Sequence, residues 1–156
     1  MKTKSSSTFE KSMPSSVSGC SAKKLRQLSR RVSQHFDQIV ASAGLKTTQY
    51  SMLSQIQALG PIRPGDLALS MEMDPSTLTR NLQPLVAQGW ITVGPGNNGR
   101  SRLVSITDLG RDKRAESKRE WKRAQLTFNS LMGEELVSRL HAVIDECLLH
   151  MNETPE

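Results

Sequence analysis

Apolar residues recur at three- and four-residue steps along most of the chain, which is the pattern of helices that bury one face. The pattern predicts a first helix over residues 21 to about 43, with a basic outer face, that ends at Gly44. A second helix is capped by Thr47 or Thr48 and stops before Gly60. Two helices therefore precede position 60.

Two short helical patterns then follow each other closely between residues 63 and 90. Pro64 opens the first helix, and Asp74 followed by Pro75 gives the second an N-cap and a proline at its first position. We expect Pro84 to kink the second helix, because an interior proline removes one backbone hydrogen bond. Two short helices joined by a tight turn predict a helix-turn-helix.

The outer face of the second short helix is built from hydrogen-bonding side chains. Serine, threonine and asparagine are mediocre helix formers, so this composition indicates a surface that hydrogen-bonds to a partner and is not simply exposed to solvent. The outer residues are Ser76, Thr77, Thr79, Arg80, Asn81 and Gln83, and the residues expected to face inward are Leu78, Leu82, Leu85 and Val86.

Two strand-like runs, residues 90–93 and 102–107, flank a turn-rich segment with several glycines. They predict a β-hairpin that projects as a wing directly after the helix-turn-helix. Arg100 and Arg102 lie at and just after its tip, where a guanidinium can enter a narrow A·T-rich minor groove of DNA. The alternative is that these arginines only increase the solubility of the surface.

From Thr107, which serves as a cap, a long charged helix extends to Gly133. The last helix carries an apolar stripe too extensive for a small monomer to leave exposed. The stripe consists of Leu136, Leu140, Val143, Ile144, Cys147, Leu148 and Met151. We therefore assign the first and last helices to the subunit interface of a homodimer.

The predicted fold class is mainly α with a small β-hairpin wing, namely a winged helix-turn-helix with long dimerisation helices. Residues 20–45 and 108–151 form the expected helical dimerisation region, and residues 46–107 form the expected DNA-binding region, within one integrated domain. Residues 1–19 are rich in serine and are expected to be a flexible tail.

The 156 residues carry a formal net charge of +6, which favours an anionic partner such as a phosphate backbone. The two cysteines are too few for a disulfide framework and suit a reducing compartment, so we expect the cytoplasm. No stretch approaches the roughly 20 apolar residues of a membrane span. A membrane partner is therefore not expected.

Four segments match a known family: GLKTTQYSML, LALSMEMDPSTLTRNLQPLVAQGWI, GRSRLVSITDLG and WKRAQ. Through them the chain resembles the multiple antibiotic resistance regulator (MarR) family over roughly residues 20–148. The resemblance implies a winged-helix dimer that usually represses a nearby operon. It also implies release of DNA when a small, often aromatic, acid binds between the dimer region and the reading head.

The resemblance also implies individual DNA-contacting residues. The family's base and phosphate contacts fall on Ser76, Thr77, Thr79, Arg80 and Asn81, and its minor-groove arginine falls on Arg100. Asn98 stands where the family usually has an aspartate and cannot form a charged pair with Arg100. We therefore expect a mobile wing that becomes ordered on DNA.

The remaining candidates concern ligands and thiol chemistry. Arg31 and His35 beside the ring of Tyr50 could hold the carboxylate of an effector. Cys20 resembles in position the reactive cysteine of the family's peroxide-sensing branch, but that branch surrounds its thiolate with tyrosines and this chain has only Tyr50. Cys147, within the apolar stripe, is interpreted as an inert interface residue.

No metal-ligand spacing, phosphate-binding glycine loop or nucleophile motif occurs, so we expect no metal, no cofactor and no enzyme activity. The sequence thus predicts a homodimeric transcriptional repressor that a small ligand releases from a pseudo-palindromic operator in double-stranded DNA. One alternative is a thiol-based, peroxide-sensing repressor that uses Cys20. The other is a helical interaction module whose basic surface meets an acidic partner and not DNA.

Overall fold

The computed structural model describes residues 18–96, 99 and 101–153, and within them the chain is mainly α-helical with one β-hairpin. In chain order the elements are α1 (Ser21–Val40), a 3-10 turn (Ala41–Ala43), α2 (Thr47–Leu59), α3 (Pro64–Ser70), α4 (Pro75–Ala87), β1 (Ile91–Pro95), β2 (Arg102–Ile106), α5 (Asp108–Met132) and α6 (Glu134–Glu153). The predicted fold class is confirmed. None of the helices in these described residues has the length and apolarity needed to cross a bilayer.

The chain divides into two units between Val32 and Ser33. The described part of the first unit is residues 18–32, the N-terminal portion of α1, in which the Lys24 ammonium donates to the Ser18 carbonyl at 3.3 Å. The second unit holds the rest of α1 and every later element. The helix-turn-helix, the wing and α6 therefore belong to the second unit.

The junction between α1 and α2 uses a cap that the sequence pattern did not indicate. Gly44 adopts a left-handed conformation with φ of 76° and ends the 3-10 turn, as expected. The expected threonine cap of α2 is wrong, because Lys46 occupies the N-cap and Thr47 is already helical. The Thr47 amide donates instead to the Asp37 carboxylate at 2.9 Å. A residue of α1 thus satisfies the first backbone amide of α2.

The two short helices form as expected, with a tight connection between them. Pro64 is the first residue of α3, and Asp74 is the N-cap before Pro75, although its side chain makes no capping hydrogen bond. In the connection Glu72 has φ of 50°, a region that non-glycine residues rarely enter. Helix α4 continues past Pro84 for three more residues.

The hydrophobic core of the second unit lies where α2, α3 and α4 meet the hairpin and α5. Its fully or almost fully buried members include Val40, Met52, Leu53, Ile56, Leu67, Leu78, Leu85, Ile91 and Val104. The expectation that Val86 faces inward is wrong, because this side chain remains 44% exposed. It lies on the side of α4 next to the hairpin rather than on the side that enters the core.

The hairpin is antiparallel, with Ile91 opposite Ile106 at its base and Pro95 opposite Arg102 towards its tip. It is not an isolated ribbon. Ile62, just before α3, exchanges two backbone hydrogen bonds with Val104 of β2, at 3.0 and 2.8 Å. The base of the wing is therefore joined to the helix-turn-helix by backbone pairing as well as by apolar contacts.

Helix α5 begins against the base of the hairpin. Thr107 is its N-cap, as predicted, and the threonine hydroxyl accepts from the Gly110 amide at 3.0 Å and lies 2.7 Å from the Gly89 carbonyl, to which it can donate. A Cβ at position 110 would overlap the Trp90 carbonyl. This position therefore requires glycine. The helix ends at Gly133, whose φ is 81°.

Candidate nucleic-acid interface

The outward side of α4 presents the polar residues that the sequence pattern identified. Ser76, Thr79, Arg80 and Gln83 are exposed, whereas Thr77 and Asn81 are half-buried. The Thr79 hydroxyl donates to the Pro75 carbonyl at 2.9 Å, so its proton is engaged within the helix. No acidic group pairs with Arg80 anywhere in the described part of the chain. Arg80 is thus the cation of this face.

An open cavity of about 520 Å³, here called the channel, lies between the outer side of α4 and the wing, with Pro64 of α3 also in its lining. Its apolar lining includes Leu82, Val86 and Val93, and its polar lining is Thr79, Gln83 and Arg102. Arg102, the exposed first residue of β2, shares this lining with the polar residues of α4. The structure therefore brings together Thr79, Gln83 and Arg102, three of the residues that the sequence identified.

Two sequence-predicted features fall outside the described residues. The first lies at the tip of the wing, with Arg100, the expected minor-groove arginine, and Asn98, on which the prediction of a mobile wing rests. The expected flexible tail is also outside them except for residues 18 and 19. Both expectations remain predictions.

The residues considered for a ligand site have clear structural surroundings. Tyr50 is buried and stacks on Trp121 with ring centroids 5.9 Å apart. The His35 Nε2 atom lies 3.1 Å from both the Ala124 carbonyl and the Thr127 hydroxyl of α5. Arg31 is exposed and belongs to the first unit.

His35 and Tyr50 belong to one aromatic cluster between the end of α1, α2 and α5. The cluster comprises His35, Phe36, Tyr50, Trp121 and Phe128. Its rings are in edge-on, tilted or stacked contact, with centroids 5.7 to 6.5 Å apart. Periodicity alone did not reveal this cluster, because it placed each ring on its own helix without showing that the helices meet.

Both cysteines, Cys20 and Cys147, are free and exposed. Across the described residues, no group of three or more histidine, cysteine or acidic side chains is placed to hold a metal ion. One arginine near the reading helices was not identified from the sequence. Arg63, directly before α3, is exposed and forms a 2.7 Å ion pair with Asp66. Only its position beside the proline that opens α3 could have pointed to it.

A tight pair of helices, an exposed polar second helix and an adjoining hairpin define a winged helix-turn-helix fold. The model of the MarR family matches residues 45–101. The HTH-type transcriptional regulator YxaD of Bacillus subtilis is 32% identical over 113 residues, which is 67% of this chain and 79% of that protein. The chain belongs to the MarR family.

A second relative and a solved structure are also similar to the chain. The HTH-type transcriptional regulator YwoH of B. subtilis is 26% identical over 96 residues, which cover 62% of this chain and 66% of that protein. A mutant of E. coli MarR, solved in complex with operator DNA, superposes with a TM-score of 0.74 at 19% identity, over 81% of this chain and 92% of that one. The family and the fold are those of transcriptional regulators, which are not enzymes.

Proposed function

We propose that the chain is a homodimeric repressor that inserts α4 into the major groove of a pseudo-palindromic operator, with the wing at the adjacent minor groove. The observation that carries the proposal is the outward side of α4, where Arg80 has no acidic partner among the described residues and lies beside exposed and half-buried hydrogen-bonding side chains. Ser76, Thr77, Asn81 and Gln83 are the proposed neighbouring contacts. The E. coli MarR mutant, whose fold this chain shares, was solved in complex with operator DNA, which supports DNA as the partner.

The proposed homodimer uses residues 20–45 and 108–151, and residues 46–107 read DNA. Within the protomer, α6 packs on α5 and buries Val137. In the predicted apolar stripe Leu140 is half-buried, whereas the exposed fractions of Leu136, Val143, Ile144, Leu148 and Met151 run from 38% at Ile144 to 75% at Met151. A second copy of α6 would cover this surface and place two reading helices at successive turns of the duplex.

We further propose that a small organic acid releases the DNA. The aromatic cluster supports this idea, because it offers ring surface to an aromatic acid where the end of α1, α2 and α5 meet. His35 is a proposed ligand residue through Nδ1, since its Nε2 atom already contacts the Ala124 carbonyl. Arg31 is the second proposed ligand residue. Cys20 is exposed, which keeps the thiol-based alternative open to test with peroxide. The proposed location is the cytoplasm, in keeping with two free cysteines.

The direct test is fluorescence anisotropy of the protein on the DNA upstream of its own gene and on a scrambled duplex, at near-physiological salt. The wild type is expected to prefer its own DNA by about a thousandfold or more. Arg80→Ala is expected to weaken that binding about 5- to 150-fold, the cost of one good base contact. The matched control is Lys122→Ala, which removes the same charge from an exposed position on α5.

Equal and weak binding of the wild type to both duplexes would contradict the proposal. So would an Arg80→Ala variant that binds like the Lys122→Ala control. In either case the basic surface would serve an acidic partner rather than a specific DNA sequence.

A further inference from the structure

The lining of the channel between α4 and the wing is of two chemical kinds. Its apolar side chains, here called the floor, include Leu82 and Val86 of α4 and Val93 of β1, and its N–H donors, here called the edges, are the Gln83 amide and the Arg102 guanidinium. The Thr79 hydroxyl already donates to the Pro75 carbonyl, so it offers no free proton to an anion. The channel therefore combines apolar surface with two sources of N–H donors.

The proposed function determines what must cross this channel. If α4 lies in the major groove and the wing reaches the adjacent minor groove, one DNA strand separates the two grooves. That strand has to pass between the two protein elements. A sugar–phosphate strand is apolar at the deoxyribose and anionic at the phosphate, which matches the floor and the edges of the channel.

We propose that the channel is the binding site, here called the seat, of that strand. Arg102 and Gln83 donate to one phosphate, and the apolar floor contacts the deoxyribose next to it. The assignment rests on the proposed function and adds a role for Arg102. On the sequence pattern, Arg102 shares the minor-groove role with Arg100. In the structure it opens β2 opposite Pro95 and lines the side of the channel that faces α4. Arg102 is thus a positioning contact that fixes the protein on the backbone and reads no base.

The two roles of Arg102 differ in a measurable way. A phosphate contact weakens binding equally on all sequences when it is removed, and it lowers the slope of log K against log salt by about 0.9 per protomer. A minor-groove arginine instead discriminates A·T-rich from G·C-rich flanks. We therefore compare Arg102→Ala with the wild type on operators that differ only in their flanks, across a salt series.

Arg102→Ala is expected to bind both operators about tenfold more weakly, with an unchanged ratio between them and a salt slope lowered by about two for a dimer. Lys122→Ala on α5 is expected to leave the slope unchanged. A scan of neutral methylphosphonates across one half-site should find one position that weakens the wild type but not Arg102→Ala.

A second variant tests the channel without removing a cation. Val86→Glu places a carboxylate in the channel at a position already 44% exposed, so the fold tolerates it, and like-charge repulsion should weaken DNA binding at least about tenfold. Ala115→Glu adds the same charge to exposed α5 and is the control.

The outcomes separate the two proposals. A wild type that does not prefer its own DNA would overturn the proposed function and this seat together. If the wild type prefers its own DNA, three results would contradict the strand-binding role of the channel but not the proposed function. Arg102→Ala would lose the preference for A·T flanks, or it would leave the salt slope unchanged, or Val86→Glu would bind DNA as tightly as Ala115→Glu. Uniform weakening with a lower slope, a matching methylphosphonate position and a Val86→Glu defect would support it.

Discussion

A single absent atom at Gly110 determines how closely the longest helix approaches the wing. A Cβ there would overlap the Trp90 carbonyl and crowd the Ile106 side chain, neither of which can move without disturbing the base of the hairpin. We expect Gly110→Ala to lower the free energy of unfolding by about 1–3 kcal/mol, the range for overpacking a well-packed site. Urea denaturation at fixed protein concentration measures this change.

The matched control is Gly65→Ala in α3, where a Cβ would meet no atom within 4 Å. Alanine should stabilise that helix by about 0.4–1 kcal/mol. If both variants shifted stability by the same amount and in the same direction, crowding at Gly110 would not be the cause.

At the level of elements, Asp37 connects two helices. Its carboxylate accepts from the Thr47 amide, so the N-terminus of α2 is held by a residue ten positions earlier in α1. We expect Asp37→Ala to cost about 1 kcal/mol, as for the loss of an N-cap, because a partly buried amide loses its acceptor. Urea denaturation would detect it.

Asp37→Asn retains a carbonyl oxygen at the same place and should recover most of that stability. A loss as large in Asp37→Asn as in Asp37→Ala would show that the charge matters, and not the hydrogen bond. No loss in either variant would mean that water satisfies the Thr47 amide equally well.

Local signals in the sequence predicted most of these elements. Helix boundaries at Gly44, Pro64, Asp74 and Gly133 follow from backbone preferences of single residues, which act whatever the rest of the chain does. The Asp37 cap could not be predicted in this way, because it depends on two helices meeting. The exposure of Val86 was missed for the same reason, since helical periodicity alone does not show which neighbour lies over each side of α4.

The candidate site was predictable to a similar degree. The side-chain chemistry of α4 was readable from its sequence, because a polar outer face needs no tertiary information. The channel that brings Arg102 beside Gln83 arises from the pairing of β1 with β2 and from the packing of α4 on β1. Spacing along the chain places Arg102 near the wing tip but does not show that it faces α4.

For the whole molecule, the exposed apolar side of α6 is the surface that would be buried in a dimer. We expect Ile144→Asp to weaken the dimer by more than about 3 kcal/mol, over a hundredfold in the dissociation constant, because it buries an unpaired carboxylate. Operator binding should fall with it, since one half-site alone gives less affinity. Sedimentation velocity over a concentration series measures the change.

Leu149→Asp is the control for this prediction. Leu149 is 58% exposed and, at about 3.6 residues per turn, lies across α6 from Leu140. It should leave the sedimentation coefficient unchanged. Dimers of equal strength in both variants, or a monomeric wild type, would show that this side of α6 is not the interface.

The backbone pairing of Ile62 with Val104 has a further consequence for signalling. It ties the entrance of α3 to the middle of β2, so we expect the helix pair and the base of the wing to change position together. A signal that displaced one of these two proposed DNA-contacting elements would then displace the other as well.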